Sequence, residues 1–483
     1  MPKAALEIGK AKWKKALRTA LCCLLLIPFS VLAAFNTETE EPEPSFYGGR
    51  SVTHNNQGVP NSDIQFQRRT IAPPIIAEEQ PEKVEQETDT IFVSANSVAA
   101  PPTERLTPVA LSRNENLLAK KAYYYFEQNW NEETGLINSV QGYHHSTMWD
   151  VASGIAAILS AEGLELMTTE EADNKLQKTL DTLGNLPLYD NALPNREYNT
   201  HTAKPSGRYS KSSSNGNGWS ALDIGRLLIW LEIAQAHKPQ LAPNIERILD
   251  KWSLDKAVSQ GTLYGELKTS QKRHYRQEGR LGYLQYAASG FDLFGFDVNT
   301  AYEQENIGEV TVDGINLLID KRNLPYFTTD PYVLYAIEIG PTEQWWNQLD
   351  NLFQLQKMKS SEEPMSWVFA EDAMSRSPWF SYNNIYIYGS TWLSIAPGGK
   401  PVENPQIFSN KVAFGMSVLF EGDYFSQQLS DEVINNSLTH RAVPTGVYLN
   451  GGPNSAYNIN TNSLILSALW YKKRRYIPLI KPS

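Results

Sequence analysis

The sequence predicts an all-α fold, an (α/α)6 toroid of helical hairpins with a few short strands, preceded by a disordered N-terminal segment. Apolar segments of helical length, separated by Gly, Pro and Asn clusters, run from about residue 106 to the C-terminus without a second linker. The segments are of two kinds, amphipathic and apolar nearly all round. A double ring accounts for both kinds, with outer helices that have one solvent-exposed face and inner helices that are buried on all sides. A generic helical bundle is the competing architecture.

Residues 1–34 have the pattern of an export signal. Basic residues up to Arg18 precede the apolar run 20–34, which is short for a membrane span, contains Pro28 and ends in two alanines. We predict a signal peptide that is cleaved in the periplasm, and an uncleaved inner-membrane anchor is the alternative. Cys22 and Cys23 lie inside this run, so the mature chain would contain no disulfide and no thiolate nucleophile.

Residues 35–105 are rich in Pro, Glu, Gln, Ser and Asn and show no sustained periodicity. This composition predicts a disordered acidic linker, and residues 106–483 are then a single toroid domain. The whole chain of 483 residues has 53 acidic and 43 basic residues, a formal net charge of -10. Such a balance argues against nucleic acid as a partner. The aromatic content of 11% suits stacking on sugar rings, although packing in the core explains most aromatic side chains.

The individual elements follow from this periodicity. Residues 169–183 carry charges on one side and leucines on the other, as expected of an outer helix. Apolar segments such as 149–161 and 219–236 are expected in the inner ring. We predict helices at 112–128, 149–161, 169–183, 219–236, 243–252, 278–288, 330–339, 342–358, 410–420 and 462–473, and strands near 262–268 and 379–388.

Polar or aromatic residues stand at the start of the inner helices, which would converge on one face of a toroid. Asp150 follows a tryptophan at the start of a dry helix, and Glu278 follows a polar stretch at the start of another. Helix N-termini favour carboxylates, so each is equally well explained as a structural group. A pair of carboxylates also suits glycosidic cleavage, in which one donates a proton and the other activates water or attacks the sugar.

Other carboxylates on this face have simpler explanations. Asp330 precedes Pro331 and is predicted to be a helix cap. Asp223 and Arg226 are three residues apart on one helix and are predicted to form an internal ion pair. Glu371 and Asp372 are a reserve pair on a loop over the same face.

Other chemistries have little support in the sequence. No phosphate-binding loop, nucleophile elbow, zinc-protease or calcium-loop motif is present, and we expect neither a metal nor a cofactor. His144 and His145 have no third ligand spaced near them. The loop that contains Tyr198, His201, Arg208 and Tyr209 could instead serve a polysaccharide lyase.

Several long motifs make the sequence recognisable. TMWDVASGIAAI, LPN at 193–195, NGWSALDIGRLLIWL, EGRLGYLQYAASGFDLFG, TTDPYVLYAIE and EDAMSRSPWF are all present. With them the chain resembles, from about residue 111 to 471, a bacterial family called domain of unknown function 3131. That resemblance implies export and association with the cell envelope.

A more distant similarity is to the glucoamylase-like (α/α)6 domains of cyclic β-1,2-glucan synthases and of glycoside hydrolase family 144. In that group a glutamate in a pattern like S-E-A-R-L opens an inner helix, which residues 278–281 resemble. The resemblance implies that Glu278 is the general acid and Asp150 the base. The group often has an aspartate before its last inner helix, where this chain has Asn460-Thr461-Asn462.

These observations lead to the hypothesis of an exported glycoside hydrolase that acts on an envelope glucan or exopolysaccharide. The alternatives are a polysaccharide lyase and a non-catalytic glycan-binding or scaffold protein, associated with the inner-membrane machinery of polysaccharide synthesis. The predicted catalytic residues are Glu278 and Asp150. The residues predicted to bind the poly- or oligosaccharide are Trp149, Trp219, Arg280, Tyr283, Asp330, Glu371, Asp372 and Trp379.

Overall fold

Helices alternate between two layers in a computed structural model that describes residues 99–322, 327–387, 389–397 and 399–482. The helices of this part of the chain are α1 Arg113–Asn129, α2 Met148–Gly163, α3 Thr169–Asn185, α4 Ala221–His237, α5 Ala242–Lys251, α6 Tyr283–Leu293, α7 Asp330–Glu338, α8 Glu343–Glu362, α9 Asn410–Leu419, α10 Tyr424–Ser437 and α11 Ile459–Lys473. Helices α2, α4, α6, α7, α9 and α11 are buried along most of their length and form the inner ring. Each contacts the next one, and α11 packs against α2, so the ring closes.

The inner helices run parallel, so their N-termini share one face of the ring. Residues at matching depths of α2 and α11 show this alignment: the Ser463 hydroxyl donates to the Ser153 carbonyl at 2.9 Å, and the hydroxyls of Ser160 and Ser467 lie 3.3 Å apart. We call this surface the N-terminal face. It is defined by the first turns of the six inner helices.

Glycine allows two inner helices to approach each other closely. A Cβ atom on Gly225 of α4 would lie 2.3 Å from the Ala287 carbonyl oxygen, and one on Gly290 of α6 would lie 2.0 Å from the Gly225 carbonyl oxygen. Both distances are far inside van der Waals contact, so the α4–α6 contact requires residues without a side chain. The small residues of the dry segments therefore set the spacing of the ring.

Helices α1, α3, α5, α8 and α10 form the outer layer, and a β-hairpin stands where a sixth outer helix would be. The hairpin, residues 307–320, follows α6 and precedes α7, and it packs on α8 through its second strand. The turn Asp313-Gly314 joins two strands of alternating burial. The prediction of a toroid of helical hairpins is therefore wrong at this one position.

Strands are more numerous than the sequence led us to expect. Those of the described chain are β1 His145–Ser146, β2 Tyr198–Asn199, β3 Gly218–Trp219, β4 Val258–Ser259, β5 Thr262–Lys268, β6 Arg273–Gln277, β7 Ile307–Val312, β8 Ile315–Asp320, β9 Asp372–Ala373, β10 Phe380–Ile387, β11 Ser390–Ile395, β12 Gln406–Ser409, β13 Gly446–Tyr448 and β14 Pro453–Asn454. They form antiparallel sheets in the order β3-β5-β4 with β6 on β5, β11-β10-β9, β12-β13-β14, β1-β2 and β7-β8. Most precede or follow an inner helix, so the connections are built as small sheets.

Two helix starts differ from the prediction. Glu278 does not open a helix, because β6 ends at Gln277 and α6 begins only at Tyr283. Trp219 lies in β3, two residues before α4. The backbone needs the intervening residues in both cases to turn from a strand into the ring, and Gly279 and Gly282 adopt positive φ in the first of these turns. The prediction also missed α10.

The predicted signal segment 1–34 and most of the predicted linker 35–105 lie outside the described residues. None of the helices that the structure describes combines the length and the apolar character needed to cross a membrane.

Candidate functional site

Glu278 lies between two inner helices, where the chain leaves β6. Its carboxylate accepts a hydrogen bond of 2.5 Å from the backbone N–H of Ala221, the first residue of α4, and another of 3.3 Å from Arg196. Only 1% of the residue is exposed. Burial raises the pKa of Glu278, while Arg196 acts in the opposite direction. The structure therefore holds a carboxyl group whose protonated form is favoured by its surroundings.

Arg196 is a residue of this site that sequence reasoning missed. Its guanidinium donates to the Glu266 carbonyl oxygen at 3.1 and 3.2 Å as well as to Glu278. The buried side chain of Asn195 shapes the loop, since it accepts from the Asn217 N–H at 3.0 Å and donates to the Glu197 carbonyl at 2.9 Å. The sequence signal for this residue was the LPN motif at 193–195, which directly precedes Arg196. The motif was recognised, but no structural role was assigned to it.

Gly265 of β5 makes room for the Glu278 carboxylate. A Cβ atom at this position would lie 2.5 Å from Glu278 Oε2. A glycine within a strand often marks the close approach of another group, which is the case here.

Asp150 occupies the third position of α2 and is fully buried. Its Oδ2 accepts hydrogen bonds from the backbone N–H and the hydroxyl of Thr147 at 2.9 and 3.0 Å, which completes a capping box. Its Oδ1 accepts from the Asn460 amide at 3.1 Å. These hydrogen bonds occupy both carboxylate oxygens. The structural role of Asp150 as a cap is thus established, and a chemical role would be additional.

Three acidic residues that we predicted to bind the saccharide, Asp330, Glu371 and Asp372, come together around Lys411. Lys411 lies in the first turn of α9. The Lys411 ammonium lies 2.7 Å from Asp330 Oδ1 and 3.1 Å from Asp372 Oδ1, and it donates to the Glu371 carbonyl oxygen at 2.5 Å. Asp330 also accepts from the Thr328 hydroxyl and the Glu371 N–H, both at 2.9 Å. We call these four residues the Lys411 cluster.

The Lys411 cluster corrects the prediction for Asp330. Asp330 is the first residue of α7 rather than its cap, and its carboxylate bonds to groups outside its own helix. Burial raises the pKa of Asp372 to about 6, with Lys411 opposing the rise and Asp330 adding to it. Burial lowers the pKa of Lys411, but its two carboxylate partners outweigh it and hold that pKa above the usual value.

The predicted sugar-stacking tryptophans differ in their access to solvent. Trp149 is 1% exposed and packs edge-on against Tyr283 and Tyr286, with the Arg226 guanidinium over its ring at 4.4 Å. A buried indole presents no face to a sugar, so Trp149 is a core residue in this conformation. Trp219 is buried as well and donates to the Tyr264 carbonyl at 3.0 Å.

Trp379 is 42% exposed and stands directly before β10. Strand β10 pairs with β9, whose first residue is Asp372. Of the three tryptophans this one alone offers a ring to a ligand, two residues before Ser381, the residue that pairs with Asp372.

Arg226 takes a partner different from the predicted one. Its guanidinium lies 3.7 Å from Glu338 of α7, and both side chains are almost completely buried. Glu338 also accepts a hydrogen bond from the Tyr286 hydroxyl. This network ties α4, α6 and α7 together beneath the N-terminal face, so it is part of the ring's core. Arg280, by contrast, bonds locally to Gln277 at 2.5 Å and to the Gly279 carbonyl at 2.7 Å.

The loop that could have served a lyase is held by its own contacts. The Tyr198 hydroxyl donates to the Pro187 carbonyl and accepts from the Asn195 N–H, both at 2.8 Å, and burial raises its pKa. A buried phenol with both hydrogen-bonding roles occupied is a poor base. Within the described ranges no group of three or more His, Cys, Asp or Glu residues is placed to hold a metal ion.

Comparisons with known proteins agree with this fold. A family model described as "Protein of unknown function (DUF3131)" matches residues 117–475. Among curated proteins, none matches the sequence at a significant level.

Two solved structures illustrate the structural likeness. A candidate glucoamylase from Bacteroides caccae has 12% sequence identity and a TM-score of 0.55, with 76% of this chain and 96% of that chain covered. An endo-β-1,2-glucanase from Chitinophaga pinensis, solved with sophorotriose and glucose, has 12% identity and a TM-score of 0.55, with 77% and 97% covered. At such identities the likeness shows that this chain has the glucoamylase-like toroid fold.

Proposed function

The chain belongs to the DUF3131 family, and we propose that it is a glycoside hydrolase that acts on a glucan, for which β-1,2-linked glucan is the first substrate to test. The observation that carries the proposal is the Glu278 carboxyl, buried between α4 and α6 with its pKa raised. The fold shared with an endo-β-1,2-glucanase supports the choice of substrate. A fold alone does not fix an activity, so the residues have to be tested.

Glu278 is the proposed general acid. Glycosidic cleavage requires a carboxylic acid that keeps its proton until it passes it to the leaving oxygen, and burial provides that condition. Arg196 limits the rise of the pKa, so that the acid can still give up its proton. The N–H of Ala221 and the Arg196 guanidinium then stabilise the carboxylate that remains.

Asp150 is the proposed base that removes a proton from the attacking water. Its hydrogen bonds from Thr147 and Asn460 hold both carboxylate oxygens in place. Asn460 stands near the start of the last inner helix, where the related group often has an aspartate, and it donates to Asp150 on the neighbouring helix. Asp150 and Glu278 are both buried. The proposal therefore requires a conformational change that exposes both carboxyl groups when a glucan binds.

Export is part of the proposal and rests on the sequence alone. The basic residues before the apolar run 20–34 and the small residues at its end support secretion to the periplasm, with cleavage after residue 34 or retention as a membrane anchor. Fractionation of cells that express the full chain, followed by N-terminal sequencing, tests both versions. Recovery of the chain with its first residues intact in the cytosol would contradict export.

Incubation with β-1,2-, β-1,3- and β-1,4-glucans and with bacterial exopolysaccharides tests the activity. New reducing ends are expected, and Glu278→Gln should lower their rate of formation by at least about a hundredfold, the usual contribution of a general acid. Asp150→Asn is a sharp test of the base because asparagine still accepts the hydrogen bonds of Thr147 and preserves the cap. Unchanged rates in both variants would exclude the assigned roles. The control variant is Gln427→Ala on the outer helix α10, which should cleave at the rate of the unsubstituted protein.

A non-catalytic, glycan-binding role within polysaccharide synthesis machinery is the second candidate. It is favoured by Asn460, since an amide cannot replace a carboxylate as base. Retention on an immobilised glucan without any new reducing ends would support binding alone. Unsaturated ends that absorb ultraviolet light would indicate a lyase.

A further inference from the structure

We propose that the chain has a second carbohydrate site, a groove beneath the β7–β8 hairpin that binds a neutral saccharide. The groove lies where the hairpin replaces the sixth outer helix, and α6, α7, α8 and both hairpin strands contribute to its wall. Its cavity volume is about 160 Å³, and its mouth is open to solvent. Binding sites that enclose a drug-sized ligand typically span about 300–1,000 Å³, so this groove suits a single sugar ring whose neighbours extend out of the mouth.

The lining contains no Asp, Glu, Lys, Arg or His residue. It consists of four glutamines, three tyrosines, one tryptophan, one threonine and three aliphatic residues. An anionic or cationic ligand would lose its hydration without finding a counter-charge, which is costly. A lipid would leave the glutamine amides unsatisfied. A neutral polyhydroxylated ring matches both parts of this surface, since its C–H face packs on aromatic rings and its hydroxyls bond to amides.

Trp345 provides the aromatic platform. It stacks on Tyr335 with ring centroids 4.9 Å apart and planes 8° from parallel, and it also contacts Tyr332. Trp345 remains partly exposed, and Tyr302 is partly exposed as well. The stacked pair fixes the orientation of the indole before any ligand arrives, which lowers the entropic cost of binding.

Several hydrogen-bonding groups in the groove are available to a ligand. The exposed amides of Gln304 and Gln344 form a reciprocal pair across the mouth with long contacts of 3.2 and 3.5 Å, which sugar hydroxyls can replace. Thr342 is the N-cap residue of α8, yet its side chain makes no capping hydrogen bond. The Tyr332 hydroxyl is buried beside Gln348 and forms no hydrogen bond of normal geometry with a described residue.

The Tyr332 hydroxyl is the strongest sign of a ligand. A buried polar atom without a partner costs free energy, and native proteins rarely leave one. Tyr332 is 3% exposed and lines the groove. The Gln348 amide exchanges two hydrogen bonds of 3.0 Å with the backbone of Leu318, and its remaining N–H lies beside the Tyr332 hydroxyl, whose own proton stays without an acceptor. A sugar hydroxyl would satisfy Tyr332.

The lining of this groove does not include the proposed catalytic residues, although Gln285 and Tyr332 belong to the first turns of α6 and α7. Leu281 and Gln285 line it from the start of α6, whereas Tyr283 between them points to Trp149 of α2. None of the carboxylates assigned above belongs to its lining. The inference therefore stands whether or not the chain hydrolyses a glucan.

Calorimetric titration of the full chain with sophorose, cellobiose and maltose, and with cellobionate as the anionic counterpart, tests the groove. The Glu278→Gln background prevents cleavage. Saturable binding of a neutral disaccharide is expected, with cellobionate bound more weakly. The double variant Gln304→Ala/Gln344→Ala should weaken binding about tenfold, as the loss of two neutral hydrogen bonds implies. Trp345→Ala should weaken it at least as much, and Gln427→Ala, an exposed glutamine on α10, should leave it unchanged.

Hydrogen–deuterium exchange locates the bound sugar without a substitution. A saturating disaccharide should slow exchange in the β7–β8 hairpin and in the first turn of α8. The proposal is overturned if none of these sugars binds saturably. It is also overturned if binding survives both groove variants unchanged and protection is confined to residues outside the groove.

Discussion

The side-chain amide of Asn460 donates a hydrogen bond of 3.1 Å to Asp150 and thereby joins the first turns of α11 and α2. The Asn460 oxygen accepts from the Ser153 hydroxyl at 2.7 Å, so the orientation of the amide is fixed by a donor on one side and an acceptor on the other. Asp150 is therefore held in position by groups at the starts of two inner helices.

Asn460→Asp should destabilise the protein, because it places a second carboxylate against Asp150. One member of such a pair must hold a proton, which raises its pKa in the folded state. The free energy of unfolding should then fall as the pH rises above the ordinary carboxyl range, with a loss of about 1–3 kcal/mol at pH 7 that shrinks below pH 5. Urea denaturation at several pH values measures this, and Asn435→Asp on the exposed side of α10 is the control. Equal loss at pH 5 and pH 8 would contradict the argument.

Arg196→Gln should move the alkaline limb of any glycosidase activity to higher pH. Arg196 lowers the pKa of Glu278 against the effect of burial, so its removal raises that pKa further. A general acid loses activity as the pH rises through its pKa, and a higher pKa shifts this loss upward. The pH profile of kcat/KM provides the measurement. The control is Arg208→Gln, which changes another basic residue, one without an assigned contact with Glu278, and it should leave the alkaline limb in place. If the alkaline limb does not move in Arg196→Gln, Glu278 is not the titrating acid.

Lys411→Met should be strongly destabilising at neutral pH, by about 3–5 kcal/mol, since it leaves buried carboxylates without their cation. The loss should be smaller at pH 5. Burial already raises the pKa of Asp372 to about 6, so this group takes up a proton as the pH falls and the repulsion from Asp330 is relieved.

A second substitution separates charge from packing in the Lys411 cluster. Lys411→Met combined with Asp372→Asn should recover much of the stability at pH 7, because asparagine still accepts from the Ser409 hydroxyl and the Gln406 amide. If the double variant is as unstable as Lys411→Met at pH 7, shape rather than charge dominates the site.

The inner and outer helices could be predicted from the sequence because local periodicity encodes burial. Segment 169–183, with one wet face, became outer helix α3, and the dry segment 149–161 became inner helix α2. The β7–β8 hairpin was also within reach, since Asp313-Gly314 is a two-residue turn between alternating strands. Pairs such as Arg196 with Glu278 were not, because residues 82 positions apart meet only through the tertiary fold. Burial of Trp149 and exposure of Trp379 depend on the same long-range packing.

Gly225→Ala should destabilise the ring by about 1–3 kcal/mol, since the new methyl group would collide with the Ala287 carbonyl oxygen of α6 and separate two inner helices. Gly184→Ala in α3 is the matched control. A Cβ atom there lies 3.7 Å from Ile248 Cγ1, an ordinary contact, and alanine favours a helix by up to about 1 kcal/mol. Thermal denaturation should therefore show a lower Tm for the first variant and an equal or higher Tm for the second. Similar behaviour of both variants would mean that the α4–α6 contact is not as close as described.

Trp379→Ala should weaken the affinity for a glucan without affecting the fold. The indole is 42% exposed and adjoins the β9–β10 pair that carries Asp372, so it can stack on a sugar bound beside the Lys411 cluster. Loss of this platform should raise KM about three- to tenfold with kcat nearly unchanged, because stacking stabilises the bound substrate and the transition state alike. Tyr424→Ala, at an exposed aromatic residue that begins α10, should change neither constant. Trp149→Ala should instead lower Tm by several degrees, since it empties a fully packed position in the core. A fall in kcat with KM unchanged in Trp379→Ala would place this residue in the chemistry rather than in binding.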